Sequence, residues 1–251
     1  MIELPAKIER LRDDGALFVI NHSAGKDSQA MTLVLRGLIP AQQMVVVHAD
    51  LGEVEWPGNL DHISRTIGDL PLHICRNENK TFLEMVERRG MWPSASTRQC
   101  TSDLKRGPIE RTIRAILAEN PAFSGRVVNC MGIRAEESPA RARQQPLRYN
   151  ERNSKAGRSW YDWLPIFDWT CEEVFSAIEA AGQRPHPAYG LGMSRLSCVF
   201  CILASKGDLR VAAEHNPDLY RRYVRLEQRM GHTLSMSGVP LETLTGIVAA
   251  E

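Results

Sequence analysis

Apolar residues in this chain fall either in short unbroken runs or in longer stretches where they recur every three or four positions. The run Ala16-Leu17-Phe18-Val19-Ile20 leads into small residues and then into Gln29 to Arg36, where apolar side chains take helical spacing. This pattern predicts strand, loop, helix. A second run, Met44-Val45-Val46-Val47-His48, follows the turn residues Ile39-Pro40. A third, Leu70 to Cys75, precedes the helical stretch Thr81 to Arg89, and a fourth, Arg126 to Met131, follows the helical stretch Pro108 to Glu119. Apolar strands alternating with helices predict an α/β fold, a doubly wound parallel sheet with helices on both faces. Such sheets bind ligands beyond the carboxyl ends of their strands, where the strand order switches direction, and the loop at residues 21 to 28 sits at such an end.

Residues 142 to 160 are rich in Arg, Gln, Asn, Ser and Gly and lack apolar periodicity, which predicts an exposed or mobile segment able to order over a ligand. Beyond it, Thr170 to Ala181 reads as a helix whose Thr170 and Glu173 form a capping box. Asn216-Pro217 opens a final amphipathic helix running to about Met230, with Asn as cap and Pro at the first helical position. No internal repeat is visible. The expected organisation is an α/β core over residues 1–165 and a helical, cysteine-bearing extension over residues 166–251, packed on the same domain.

The chain has 251 residues, enough for one core domain, and its 43% apolar and 24% charged content is that of a globular protein rather than a disordered one. With 31 Lys and Arg against 30 acids, the net charge gives no global reason to expect a nucleic acid or a membrane, so any affinity for anions must be local. The first residues, MIELPAKIERLRDDG, lack the apolar core of a signal peptide, and no 18-residue apolar run follows; both predict a cytoplasmic protein with no membrane partner. In that compartment the six cysteines favour metal binding or plain burial over disulfides.

The residues after the first strand are Asn21-His22-Ser23-Ala24-Gly25-Lys26-Asp27-Ser28. Small residues let backbone N–H groups point into a concavity, and the following helix adds the positive end of its dipole, the arrangement that binds phosphate. Lys26 adds a point charge, while Ser23 and Ser28 offer hydroxyl donors. This is not a Walker A loop, because Ile20 stands where that pattern needs its first Gly and Asp27 where it needs Ser or Thr.

SAGKDS resembles SGGKDS, the signature of the PP-loop ATP pyrophosphatases, with Ala24 replacing one Gly. The resemblance implies an adenine nucleotide alpha hydrolase-like, HUP-type fold. It also implies ATP with Mg2+ on Ser23, Ala24, Gly25, Lys26, Asp27 and Ser28, and cleavage between the α and β phosphates. His48-Ala49-Asp50-Leu51-Gly52-Glu53 resembles the turn that carries adenosine in the sulfonucleotide reductases, which implies that Asp50 meets a ribose hydroxyl or the adenine edge. Gly132-Ile133-Arg134-Ala135-Glu136-Glu137-Ser138, with Arg141 and Arg143, resembles their G-x-R-x-x-E-S-x-x-R segment, whose arginine faces the phosphate or sulfate end of the nucleotide. A planar guanidinium suits that role because it grips phosphoryl oxygens bidentately. Leu164 to Thr170 and His186-Pro187-Ala188-Tyr189-Gly190 match the same group, so the resemblance runs in order from about residue 15 to about residue 205.

Cys198-Val199-Phe200-Cys201 is a C-x-x-C pair, whose thiolates can reach one metal from a single turn. Cys100 stands where adenylyl-sulfate reductases carry two adjacent cysteines, with Gln99 in place of the first. Cys100, Cys198 and Cys201 suit a [4Fe–4S] cluster with one iron open, or Zn2+ completed by His186 or His215; two small buried residues remain the plain reading of the pair. Cys75 and Cys130 fall in predicted strands and are expected in the core, and Cys171 in the first turn of a helix. The C-terminal catalytic cysteine of sulfonucleotide reductases has no counterpart after Cys201, which predicts that their thiosulfonate chemistry is not the reaction.

The expected function is that of a PAPS reductase-like PP-loop enzyme, resembling the DNA phosphorothioation component, which adenylates an acceptor in sulfur transfer with Lys26, Asp27 and Arg134 as catalytic groups. Two rivals stand beside it: a sulfonucleotide reductase or ATP sulfurylase small-subunit relative, and a module that holds a nucleotide without turnover. A nucleic acid or a sulfur-donor protein is the candidate partner. Arg88, Arg89, Lys105, Arg106, Arg141, Arg143 and Arg148 either line a path for a polyanion or form an ordinary solvated face.

Overall fold

A computed structural model describes residues 3–249 of the chain. Its elements run α1 (Ala6–Asp13), β1 (Leu17–Asn21), α2 (Lys26–Leu38), β2 (Met44–Ala49), α3 (Asn59–Thr66), β3 (Leu72–Cys75) and α4 (Phe82–Arg89). Next come α5 (Gln99–Thr101), a π turn over Ser102–Arg106, α6 (Gly107–Glu119), β4 (Arg126–Met131), α7 (Pro139–Ala142), β5 (Leu147–Tyr149) and β6 (Ser159–Trp163). The chain ends with α8 (Cys171–Ala180), α9 (Lys206–His215), α10 (Pro217–Met230) and α11 (Leu241–Thr245). Among the described residues no helix is long and apolar enough to cross a membrane.

The strands form one sheet in the order β3-β2-β1-β4-β6-β5. β1 pairs in parallel with β2 and with β4, β4 pairs in parallel with β6, and β5 runs antiparallel to β6 at the edge. The chain winds outward from β1 to β2 and β3, then returns to place β4 on the other side of β1. The strand order therefore switches between β1 and β4, where doubly wound α/β sheets open a ligand crevice. β1, β2 and β4 are buried because Leu17, Phe18, Val19, Ile20, Val46, Val47, Val127 and Val128 are apolar on both faces.

Residues 142 to 160, expected to be exposed or mobile, are mostly exposed but contain β5 and lead into β6. Their missing periodicity has a polar cause. Asp162 in β6 accepts hydrogen bonds from Asn129, Asn150 and Trp160 and pairs with Arg148, so polar residues hold this edge together.

The chain divides into two compact units: residues 1–48, 60–75 and 109–185 form the first, and residues 49–59, 76–108 and 186–251 the second. They interleave along the sequence. The reason lies in the packing partners of each segment. α8 packs against α2 and so belongs with the sheet. Trp56, Phe82, Trp92 and Leu104 from the middle of the chain share one apolar cluster with Phe200, Tyr220 and Tyr223 from its end. Within that cluster Trp92 and Tyr223 stack with ring centroids 4.9 Å apart, a contact worth about 1 kcal/mol beyond the area it buries.

Candidate nucleotide-binding site

The loop between β1 and α2 is shaped by a buried histidine. His22, 2% exposed, donates its backbone N–H to the Val47 carbonyl of β2 at 3.0 Å, and its Nδ1 accepts the Ala24 N–H at 3.1 Å. His48 Nδ1 lies 2.8 Å from the His22 carbonyl, so both edges of the loop's first residue are held. Ser28 Oγ closes the loop by accepting the Ser23 N–H at 3.2 Å and donating to the Gly25 carbonyl at 2.8 Å. Ala24 takes φ +62°, the left-handed region that disfavours a Cβ by about 1–2 kcal/mol. The replaced Gly of the SGGKDS pattern thus sits where glycine's freedom is used, and Gly25 does not, at φ −76°.

Because a backbone N–H donates to His22 Nδ1, that nitrogen must be unprotonated. Burial, reinforced by His62 and then His48, lowers the His22 pKa from 6.5 to about 3. The unfolded chain takes up a proton below pH 6.5 that the folded chain refuses until about pH 3, so this residue's contribution is present above that window and lost as pH falls through it. His22 should therefore cost the fold about 2 kcal/mol between pH 7 and pH 5. Asn offers an amide oxygen in the place of Nδ1 and does not titrate. Urea unfolding of His22→Asn at the two pH values should show a correspondingly shallower loss than wild type; an unchanged loss would show that His22 takes up its proton in the folded chain.

The first turn of α2 has no capping side chain at Gly25 and carries the charged centre of the site. Lys26, only 4% exposed, lies 2.9 Å from Asp27 Oδ2 and 5.9 Å above the Phe175 ring centroid. Arg134, 3% exposed, reaches the same carboxylate from beyond β4: its Nε donates to Asp27 Oδ1 at 2.6 Å. Its Nη1 donates to Glu136 and, at 3.0 Å, to the Trp169 carbonyl. Burial alone would lower the Arg134 pKa, but the hydrogen bonds to Asp27 and Glu136 outweigh it and raise it. Glu136 is in turn held below the ordinary carboxylate range by Arg134, and it accepts the Cys171 N–H at 2.7 Å.

Gly132 allows these elements to meet. A Cβ there would lie 2.9 Å from the Asp27 carbonyl carbon and 3.0 Å from the Ser28 nitrogen, both backbone atoms that cannot swing aside. The structure thus gathers Ser23, Ala24, Gly25, Lys26, Asp27, Ser28, Gly132 and Arg134 at the carboxyl ends of β1 and β4, within the first unit. His22, Glu136 and Phe175 join them without having been anticipated; the Asn21-His22 pair ahead of the small residues was the only available sign of the first.

The other expected residues lie in the second unit. Asp50 turns the chain after β2, its Oδ1 accepting the Gly52 N–H at 2.7 Å while Oδ2 lies 3.4 Å from Arg76. Cys100, Cys198 and Cys201 act on one another and on Lys105. Burial pushes the Cys198 thiol up to about 11 against the pull of Lys105, and burial raises Cys100 in the same way. Lys105, half-buried, is itself raised, first by Cys198 and then by Glu55, Cys201 and Cys100. Thiols with an ammonium acting on them are chemically suited to a thiophilic metal, since the ammonium offsets thiolate charge. Among the described residues, however, no set of three or more His, Cys, Asp or Glu side chains is arranged to hold a metal ion. Cys75 and Cys130 are buried, and His186 Nδ1 caps its own turn by accepting the Ala188 N–H at 3.1 Å.

An uncharacterized 37.8 kDa protein of Escherichia phage 186 is 31% identical over 157 residues, covering 62% of this chain and 45% of that protein. An uncharacterized protein of Methanocaldococcus jannaschii is 27% identical over 210 residues, 84% of this chain and 47% of that one. The chain thus spans about half the length of the curated relatives it matches. Among solved structures, the phosphoadenylyl-sulfate (PAPS) reductase of Candida auris is 14% identical with a TM-score of 0.48, covering 78% of this chain and 97% of that one. The FMN adenylyltransferase of Candida glabrata is 15% identical with a TM-score of 0.46, covering 74% and 54%. Residues 18–204, from β1 through the C-x-x-C segment, match a single family along their whole length, and the chain belongs to that family, the phosphoadenosine phosphosulfate reductase domain family.

Proposed function

We propose that the loop Ser23–Ser28 holds the phosphates of ATP and that the protein cleaves ATP between the α and β phosphates to adenylate an acceptor oxygen, in the service of sulfur transfer. The observation that carries this reading is the pair of buried cations, Lys26 and Arg134, aligned on the single carboxylate of Asp27 at the uncapped first turn of α2. An acceptor oxygen attacks the α-phosphorus, the bond from that phosphorus to the bridging oxygen breaks, and pyrophosphate leaves with the electron pair. Lys26 and Arg134 stabilise the charge that develops on the departing oxygens, in positions fixed before the reaction begins. Asp27 orients both cations. Mg2+ reaches such sites on the triphosphate, with one or two carboxylates completing its shell.

Pyrophosphate release from ATP with Mg2+, assayed with and without candidate acceptors, tests the proposal. Lys26→Ala should lower the rate by about 100-fold or more, and full activity in that variant would remove Lys26 from the mechanism. A preference for adenylyl sulfate over ATP would favour a second reading, a sulfonucleotide enzyme, which the family assignment supports. Tight ATP binding without turnover under all conditions would instead mark a holding module. A [4Fe–4S] cluster or Zn2+ on Cys100, Cys198 and Cys201 would need these side chains to draw together first, since among the described residues no such set is arranged to hold a metal ion. Iron, sulfide and zinc analysis of anaerobically prepared protein decides between them.

A further inference from the structure

The segment between α4 and α6 holds chemistry that the nucleotide loop leaves unused. Thr97, Arg98, Gln99, Thr101, Ser102 and Arg106 line an open surface cavity of about 320 Å³, all within the second unit, with Thr97, Arg98, Thr101 and Arg106 exposed. That volume lies at the lower end of the range typical of small-molecule sites, ~300–1,000 Å³. Its lining combines two guanidinium groups, three hydroxyls and a carboxamide, with no carboxylate. Arg98 and Arg106 form no ion pair with any described residue. The adjacent acid, Asp103, is already engaged by Lys80 Nζ at 2.6 Å and by Ser102 Oγ at 2.8 Å. Gln99 Oε1 accepts from Arg89 Nη1 at 3.3 Å, which leaves the donor end of that carboxamide as what it offers a ligand.

The backbone here is also unusual. Ser102–Arg106 forms a π turn, a rare insertion of one residue into a helix that recurs at functional sites. The turn sets Leu104 into the apolar core, at 3% exposure, while Ser102 and Arg106 stay on the cavity wall. Guanidinium groups cannot lose their charge at any working pH, and their fork matches the oxygens of a tetrahedral anion. A ligand for this lining must be rich in acceptors and negatively charged, and the volume asks for more than the anion alone.

We propose that this cavity binds the phosphate ester of a nucleotide unit, carried either by a free nucleotide or by an oligonucleotide strand. The proposal rests on the cavity's own lining and not on the ATP reading of the loop after β1. Calorimetric titration of the full chain with thymidine 5′-monophosphate, and separately with a short thymidylate strand, tests it at low salt. At least one of the two should bind saturably. Arg98→Ala combined with Arg106→Ala should weaken that binding by roughly tenfold to hundredfold, and the corresponding double Lys variant by less. Lys26→Ala, which disables the other site, should leave it unchanged. Binding by the strand alone assigns the cavity to a polymer backbone, and binding by the mononucleotide assigns it to a free nucleotide. No binding of either probe to wild type, wild-type affinity in the folded double Ala variant, or loss of binding in Lys26→Ala would each overturn the proposal.

Discussion

Gly132→Ala is expected to damage the protein far beyond the size of one methyl group. The added Cβ would stand 2.9 Å from the Asp27 carbonyl carbon and 3.0 Å from the Ser28 nitrogen, and no rotamer change can relieve a contact with backbone. The first turn of α2 must then move off the end of β4. Forced overpacking of this kind costs about 1–3 kcal/mol, readable as a lower urea midpoint. The effect on function should be larger, because Arg134 lies two residues on and must keep its 2.6 Å hydrogen bond to Asp27. A displacement of about 1 Å in a positioning group can cost about 100-fold in rate. Gly132→Ala should therefore retain its fold while losing most pyrophosphate release. Wild-type stability together with wild-type activity would show that the loop and the end of β4 are not tightly apposed.

That contact illustrates what could and could not be read from residue order. The unbroken apolar runs at Leu17–Ile20 and Met44–Val47 mark buried strands because a strand covered on both faces has no polar side to show; Arg126–Met131, interrupted by Asn129, is a strand as well. The turn between β1 and α2 was legible for a similar reason: its small residues separate an unbroken apolar run from helical spacing, and the structure has a strand-to-helix turn there. His22 was not legible, because a pattern of polar and apolar positions treats a histidine as surface until its partners are known. Here they are a backbone N–H in its own loop and, at 3.4 Å, the Ser28 hydroxyl. Lys105 misled in the same way: counted with the basic residues of a surface path, it is half-buried and acted on first by Cys198 and then by Glu55. Of that path, Arg141 pairs with Glu137 and Arg148 with Asp162. The interleaved units were hidden because Trp56, Trp92 and Tyr223 belong to one cluster only after the chain has folded.

The polar network on β6 carries the other large expected effect. Asp162 is 6% exposed, and its Oδ1 accepts from Asn129 Nδ2 at 2.9 Å and from Trp160 Nε1 at 3.1 Å. Its Oδ2 accepts from Asn150 Nδ2 at 2.9 Å and from Arg148 Nη2 at 2.7 Å. Asp162→Ala leaves three amide or indole donors without their acceptor at once, each worth about 1–3 kcal/mol when buried, while the more exposed Arg148 can turn to water. We expect a loss of about 3–5 kcal/mol, a large share of a typical domain's ~5–15 kcal/mol. Asp162→Asn keeps one oxygen acceptor and should lose less. The damage should also reach the nucleotide loop, because Asn129 Oδ1 accepts from Asn21 Nδ2 at 2.7 Å, and Asn21 immediately precedes His22. Hydrogen exchange should then quicken at the Asn21–Ala24 amides as well as along β6. If exchange quickens along β6 alone, the chain of hydrogen bonds from Asp162 to Asn21 does not brace the loop.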